Sequence, residues 1–215
     1  MSLTEQIQQF SAQMAAQIPP EKLAIILGVT EKLKASGIEN KCLAEGDTVP
    51  DFELPSHKGG TVSSKNLLAK GPVVISFYRG EWCPYCNLEL KAFQDRLPEL
   101  EDLGATLVAV SPQTPDHSLS AAEKNQVSFD VLSDHGNEMA RKFGLVFTLA
   151  EELRPIYEGF GIDLPAFNGT ETFELPIPAT YVVGADGKII KAFVDANYVL
   201  RLDPDDVIAA LKAAG

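Results

Sequence analysis

Long apolar runs are missing from this 215-residue chain. The longest, near Leu23 to Leu27 and Val73 to Tyr78, fall far short of the roughly 20 residues that a membrane-spanning helix needs. The start, Met1-Ser2-Leu3-Thr4-Glu5, has no basic stretch and no apolar one behind it, which argues against a secretory signal. Positive charge is scarce: 18 Lys and Arg face 30 Asp and Glu, for a formal net charge of −12. Such a surface repels phosphate backbones and anionic lipid, so neither nucleic acid nor membrane is an expected partner. The charge is read simply as solubility. Only 3 cysteines occur, too few for a disulfide scaffold in a chain of this length. A working pair with one spare thiol fits a cytoplasmic protein. Internal repeats and low-complexity tracts are also absent. The composition, 45% hydrophobic and 22% charged, is that of an ordinary folded domain with an extension.

Helical spacing dominates the first residues. Ile7, Phe10, Met14 and Ile18 recur at turns of a helix, Ser2-x-x-Glu5 offers a capping box, and Pro19-Pro20 ends the pattern. A second amphipathic helix follows, with Leu23, Ile26, Leu27 and Leu33 on one side and Gly37 as its stop. Residues 1–44 thus form an N-terminal helical extension. A short helical pair cannot bury its apolar face alone, so it docks on the main domain or forms a dimer contact, docking being preferred.

From Glu45 onward strands and helices alternate. Val73-Val74-Ile75-Ser76-Phe77-Tyr78 suits a central strand covered on both faces. After it come a helix carrying Leu90, Phe93, Leu97 and Leu100, a strand at Leu107 to Val110, and a helix around Leu119 to Asn125. A short strand at Phe129 to Leu132 and a helix near Asn137 to Phe143 follow. Residues 149–176, broken by Gly159, Gly161, Pro165 and Gly169, have no clean period and read as a long insertion. Thr180 to Val183 and Lys188 to Phe193 form a hairpin around Asp186-Gly187, and Asp203 caps a last helix. The expected fold class is α/β, with residues 45–215 folding around a sheet of mixed direction.

The chemistry concentrates at Trp82-Cys83-Pro84-Tyr85-Cys86. A cysteine placed where a strand ends and a helix begins faces free backbone N–H groups and the positive end of the helix dipole, which favour its thiolate. Cys86, three residues on, lies on nearly the same face and within reach of a disulfide. Pro84 suits the first helical position, where no N–H is missed. Arg79 is a candidate cationic neighbour. The expectation is a redox pair in which Cys83 is the nucleophile and Cys86 resolves it. Zinc binding and inert burial compete with it. A structural zinc wants four ligands and this pair supplies two, while Cys42, His57, His117 and His135 are scattered, so no metal is expected. Cys42 reads as a small buried residue, the histidines as surface or loop groups. Pro178, directly before a strand and followed by Thr180, would bring its backbone beside the cysteine loop if the peptide ahead of it were cis.

Asp47-Thr48-Val49-Pro50-Asp51-Phe52, Tyr78 to Cys86, Val110-Ser111-Pro112, Phe129 to Asp134 and Pro178 to Val183 occur in an order that resembles the thioredoxin superfamily. Over about residues 46–215 the chain is similar to its peroxiredoxin-like (alkyl hydroperoxide reductase and thiol-specific antioxidant) branch. The resemblance implies a thioredoxin fold and a thiol peroxidase that reduces hydrogen peroxide or organic hydroperoxides. Cys83 would form a sulfenic acid, Cys86 would close a disulfide with it, and a thioredoxin- or glutaredoxin-type donor would reduce the pair. No metal, flavin or haem is implied, and a homodimer is compatible. The match departs from the branch where Ser76 replaces a proline, Gly80 a threonine, and Pro178 stands near the position of a distant arginine. Pro178 and the Cys-Pro-Tyr-Cys dipeptide pattern are instead similar to thioredoxin and glutaredoxin. A general thiol-disulfide oxidoreductase and a non-enzymatic redox sensor are therefore the alternatives.

Overall fold

Capping and apolar spacing build the first elements. In the computed structural model, which describes residues 1–215, helix α1 spans Leu3–Gln17 behind a complete capping box. Ser2 Oγ accepts from the Glu5 amide, and the Glu5 carboxylate accepts from the Ser2 amide at 2.9 Å. Such a cap contributes about 1 kcal/mol. Helix α2 (Pro20–Ala35) stops ahead of Gly37, whose φ of +69° is the left-handed conformation that glycine adopts without a steric cost. Both helices dock on the rest of the chain. Leu3 and Ile7 join a core shared with Leu90, Phe93 and Leu97, while Ile26 packs with Leu153, Ile156 and Tyr157. Leu27, expected on the buried side, is 57% exposed. One residue is about 100° around a helix, and Ile26 takes the inward direction.

The remaining elements are β1 (Glu53–Pro55), β2 (Thr61–Ser63), α3 (Ser64–Leu68), β3 (Val73–Phe77), α4 (Pro84–Asp102), β4 (Thr106–Ser111), α5 (Pro115–Asn125), β5 (Asp130–Ser133), α6 (Glu138–Lys142), β6 (Val146–Thr148), α7 (Arg154–Gly159), α8 (Leu164–Asn168), β7 (Glu174–Pro176), β8 (Ala179–Val183), β9 (Ile189–Val194) and α9 (Pro204–Ala214). The main sheet runs β5-β4-β3-β8-β9, with β3 parallel to β4 and antiparallel to β8. This is the expected α/β sheet of mixed direction. Every residue of β3 is buried, because alternate side chains face two cores. Val74 and Tyr78 face α4 and α9; Val73, Ile75 and Phe77 face Phe143 and Tyr181 on the other side. No helix is long and apolar enough to cross a membrane.

Residues 149–176 contain more regular structure than their sequence suggested: α7, α8 and β7, which pairs with β6. Elements this short do not establish a period. Pro178 also differs from expectation, since no peptide bond is cis. The Ile177 amide donates to the Leu145 carbonyl at 2.8 Å, extending the β6–β7 ladder, and Ala179 already pairs with Phe77. The chain passes from one ladder into the next without a reversal at Pro178.

Candidate active site

Central strand β3 delivers the chain to a sharp loop, Tyr78 to Trp82, at the N-terminus of α4. Gly80 has φ +150°, and a Cβ there would lie 2.4 Å from Trp82 Nε1. The indole therefore fills the space that a side chain at this position would need, and a threonine cannot replace Gly80 without displacing Trp82. Polar bonds hold the loop to α4 and to the α5 region. The Glu81 amide donates to Gln113 Oε1 at 2.8 Å, its carbonyl accepts from Asn87 Nδ2 at 2.9 Å and Lys124 Nζ at 3.0 Å, and its carboxylate meets His117 Nδ1 at 2.7 Å.

Cys83 is the N-cap residue of α4, with extended backbone, and Pro84 occupies the first turn. The Cys83 side chain thus sits at the positive end of a 19-residue helix. Cys86 lies one turn on, and its thiol donates to Cys83 Sγ at 2.7 Å; both cysteines are free thiols. Cys83 is 1% exposed and Cys86 fully buried. Burial pushes the Cys83 thiol up, but the Cys86 hydrogen bond and the Arg79 and Arg201 charges outweigh it and bring it down to about 6. Burial, the bond it donates and the neighbouring Cys83 charge push the Cys86 thiol the other way. Cys83 thus ionises first. Alkylation of Cys83 by iodoacetamide, resolved by peptide mass spectrometry, should be flat above about pH 7 and fall roughly tenfold per unit below pH 6. Arg79→Gln should move that midpoint upward, since a cation that favours the thiolate is lost.

Two buried arginines frame the sulfurs. Arg79 stands inside an aromatic cage, its Cζ 4.4 Å from the ring centroid of Tyr198, 4.9 Å from Trp82 and 5.6 Å from Tyr157. It donates to the Tyr157 hydroxyl, while its Nε has no partner. Arg201, in the segment before α9, donates through Nη2 to Cys86 Sγ at 3.4 Å and through Nε to Glu89 at 2.8 Å. It also donates to the Tyr198 and Leu200 carbonyls. Glu89 is fully buried on α4 and accepts from Thr180 Oγ1 at 3.2 Å as well. Burial lifts its carboxyl to about 7 against the pull of Arg201.

The structure brings Cys83, Cys86, Arg79, Trp82, Pro84 and Tyr85 to one place; Tyr85 packs edge-on against Phe10 and Tyr198. Thr180 reaches the cluster through Glu89. Pro178 directly precedes β8, whose first residue, Ala179, pairs with Phe77. Arg201, Glu89, His117 and Gln113 were not found from sequence. His117 is half-buried against Glu81, not a free surface group. Cys42 is half-buried on the opposite side of the sheet, donates to the Gly144 carbonyl at 3.3 Å, and is raised by burial to about 11. No group of three or more His, Cys, Asp or Glu side chains gathers as a metal site.

Similarity to known proteins covers the same region. The model of the AhpC/TSA family matches residues 46–192, which include the cysteine loop, β8 and most of β9. A putative peroxiredoxin of Mycobacterium tuberculosis is 27% identical over 168 residues, 78% of this chain and 96% of the relative. Peroxiredoxin Bcp of Escherichia coli is 26% identical over 153 residues, 71% of this chain and 86% of that protein. Among solved structures, peroxidoxin BcpB from Mycobacterium tuberculosis superposes with a TM-score of 0.63 at 25% identity, covering 80% of this chain and 99% of that one. Together with the mixed sheet and its cysteine pair at the head of α4, the match over more than half of the sequence makes the chain a member of the AhpC/TSA family.

Proposed function

We propose that the protein is a thiol-dependent peroxidase working through Cys83 and Cys86. The observation that carries this reading is a thiolate-prone Cys83 at a helix N-terminus, 2.7 Å from a second thiol and framed by two buried guanidinium groups. The Cys83 thiolate attacks the terminal oxygen of a hydroperoxide. The S–O bond forms, the O–O bond breaks, and its electron pair leaves on the alkoxide or hydroxide, which takes a proton. The Cys86 sulfur then attacks the sulfenic sulfur, releasing water and closing the disulfide. A dithiol donor of thioredoxin or glutaredoxin type returns both thiols, becoming a disulfide itself. In that last step Cys86 leaves as a buried thiolate, and Arg201, 3.4 Å away, supplies the compensating charge. Residues 45–215 carry this chemistry and residues 1–44 cover it.

Gly80 favours a second reading, because the Trp82 indole occupies the place where the family's threonine would stand. A general disulfide reductase needs no such hydroxyl. Stopped-flow mixing of reduced protein with stoichiometric hydroperoxide, followed by Trp82 fluorescence, separates the two. Thiol loss far faster than that of free cysteine supports the peroxidase. Slow peroxide reaction with rapid reduction of insulin disulfides establishes the reductase instead.

A further inference from the structure

The segment between β6 and β7 builds a cavity of about 360 Å³ with Arg154, Glu158 and Asp163 in its lining. No cysteine lines it, and it shares only Tyr157 and Ile162 with the cavity beside Cys83. Its charges are unpaired. Arg96, Arg141 and Arg201 each meet a carboxylate. Arg154 meets none, although Glu158 and Asp163 line the same space. Its guanidinium is held instead by the Phe173 ring, whose centroid is 4.2 Å from Cζ, and by the Leu149 carbonyl, which accepts from Nε at 3.5 Å. Both terminal amino groups stay free. A guanidinium anchored in this way presents its remaining N–H donors ready-made to a carboxylate.

Glu158 stands one turn along α7 from Arg154, at the i,i+4 spacing of neighbours on one helix face. Its exposed carboxylate has no partner in the chain. Asp163 uses one oxygen to cap α8, on the Ala166 amide at 3.1 Å, and leaves the other free. Leu149, Leu164, Pro165 and Phe173 make the wall apolar between these charges.

We propose that this cavity binds a small zwitterion, an α-amino acid with an apolar side chain. Its carboxylate would lie on Arg154, its ammonium between Glu158 and Asp163, and its side chain against Leu164 and Phe173. Ligand cavities run from roughly 300 to 1,000 Å³, and a space near the low end suits one residue better than a longer peptide. A plain anion would face two uncompensated carboxylates there, and a plain cation would face the guanidinium.

Trp82, the single tryptophan of the chain, packs edge-on against Tyr157 at 5.6 Å and so reports on the wall that the two cavities share. Titration of the full-length reduced protein with L-phenylalanine, followed by Trp82 fluorescence and calorimetry, should show saturable binding at one site. Hydrocinnamate, which lacks the ammonium, and phenethylamine, which lacks the carboxylate, should each bind at least about tenfold more weakly, the scale of one lost charge-assisted contact. Arg154→Gln should weaken L-phenylalanine by a similar factor, with Cys83 oxidation at its native rate showing that the fold is intact. The two analogues are tested on the unaltered protein, which keeps the experiment decisive if the variant does not fold. No saturable binding of L-phenylalanine into the millimolar range overturns the site. So does either analogue binding as tightly as the amino acid, or an affinity that Arg154→Gln leaves unchanged.

Discussion

Cys83→Ser should lower peroxide turnover by more than about a thousandfold, the scale seen when a covalent nucleophile is removed. A serine hydroxyl does not ionise in this range, and oxygen cannot carry the sulfenic state that transfers the peroxide oxygen. Cys86→Ser should behave differently. The serine still offers an O–H donor to Cys83, so most of the support for the thiolate survives. A single oxidation of Cys83 should proceed, leaving a sulfenic acid that dimedone labels, while multiple turnover with a dithiol donor stops. Peroxide consumption and intact mass after dimedone treatment measure both. Full multiple turnover in Cys83→Ser, with complete loss in Cys86→Ser, would reverse the roles of the two sulfurs.

The Arg201–Glu89 pair carries the second large effect. The side chains are 1% and 0% exposed, with N–H···O at 2.8 Å. Removing one member of a buried pair costs about 3–5 kcal/mol because the other charge is stranded, whereas replacing both with apolar residues is often neutral. Arg201→Met should therefore lower the melting temperature by roughly 10 °C in a chain of this size. The double variant Glu89→Leu/Arg201→Met should recover most of that loss. Its catalysis should not recover with it, because Cys86 has still lost its buried cation. Calorimetry on the two variants, paired with the rate of disulfide reduction, separates a purely structural role from one in the chemistry. Equal recovery of stability and reduction rate would leave Arg201 a structural residue only.

Much of this architecture was legible from residue order. The apolar run Val73 to Tyr78 announces a strand buried on both faces because neither parity of its side chains is polar, Ser76 excepted. Cys83 and Cys86 are close in sequence, so helix geometry alone places them together. The arginine that touches Cys86 is another matter. Arg201 lies 115 residues from Cys86, and no local period can reveal a contact across that separation. One signal did exist. Glu89 sits among Leu90, Phe93 and Leu97 on the inward side of α4, where a carboxylate demands a buried partner. The partner could be inferred; its identity could not. Pro178 went wrong for a related reason. A proline ahead of a strand is compatible with either isomer, and the β6–β7 ladder that keeps this segment extended comes from residues more than twenty positions away. Leu27 shows the limit of periodicity at finer scale, since adjacent apolar residues compete for one inward direction.

The central claim is that Cys83 is a thiolate built to be oxidised by a hydroperoxide. Its most direct test is the single-turnover rate constant of Cys83 oxidation at neutral pH, measured on reduced protein by Trp82 fluorescence, with the product mapped by peptide mass spectrometry. The account predicts oxidation far faster than that of free cysteine, ending in a Cys83–Cys86 disulfide with Cys42 still reduced. A rate no greater than that of free cysteine, or a product in which Cys42 is oxidised first, would contradict it.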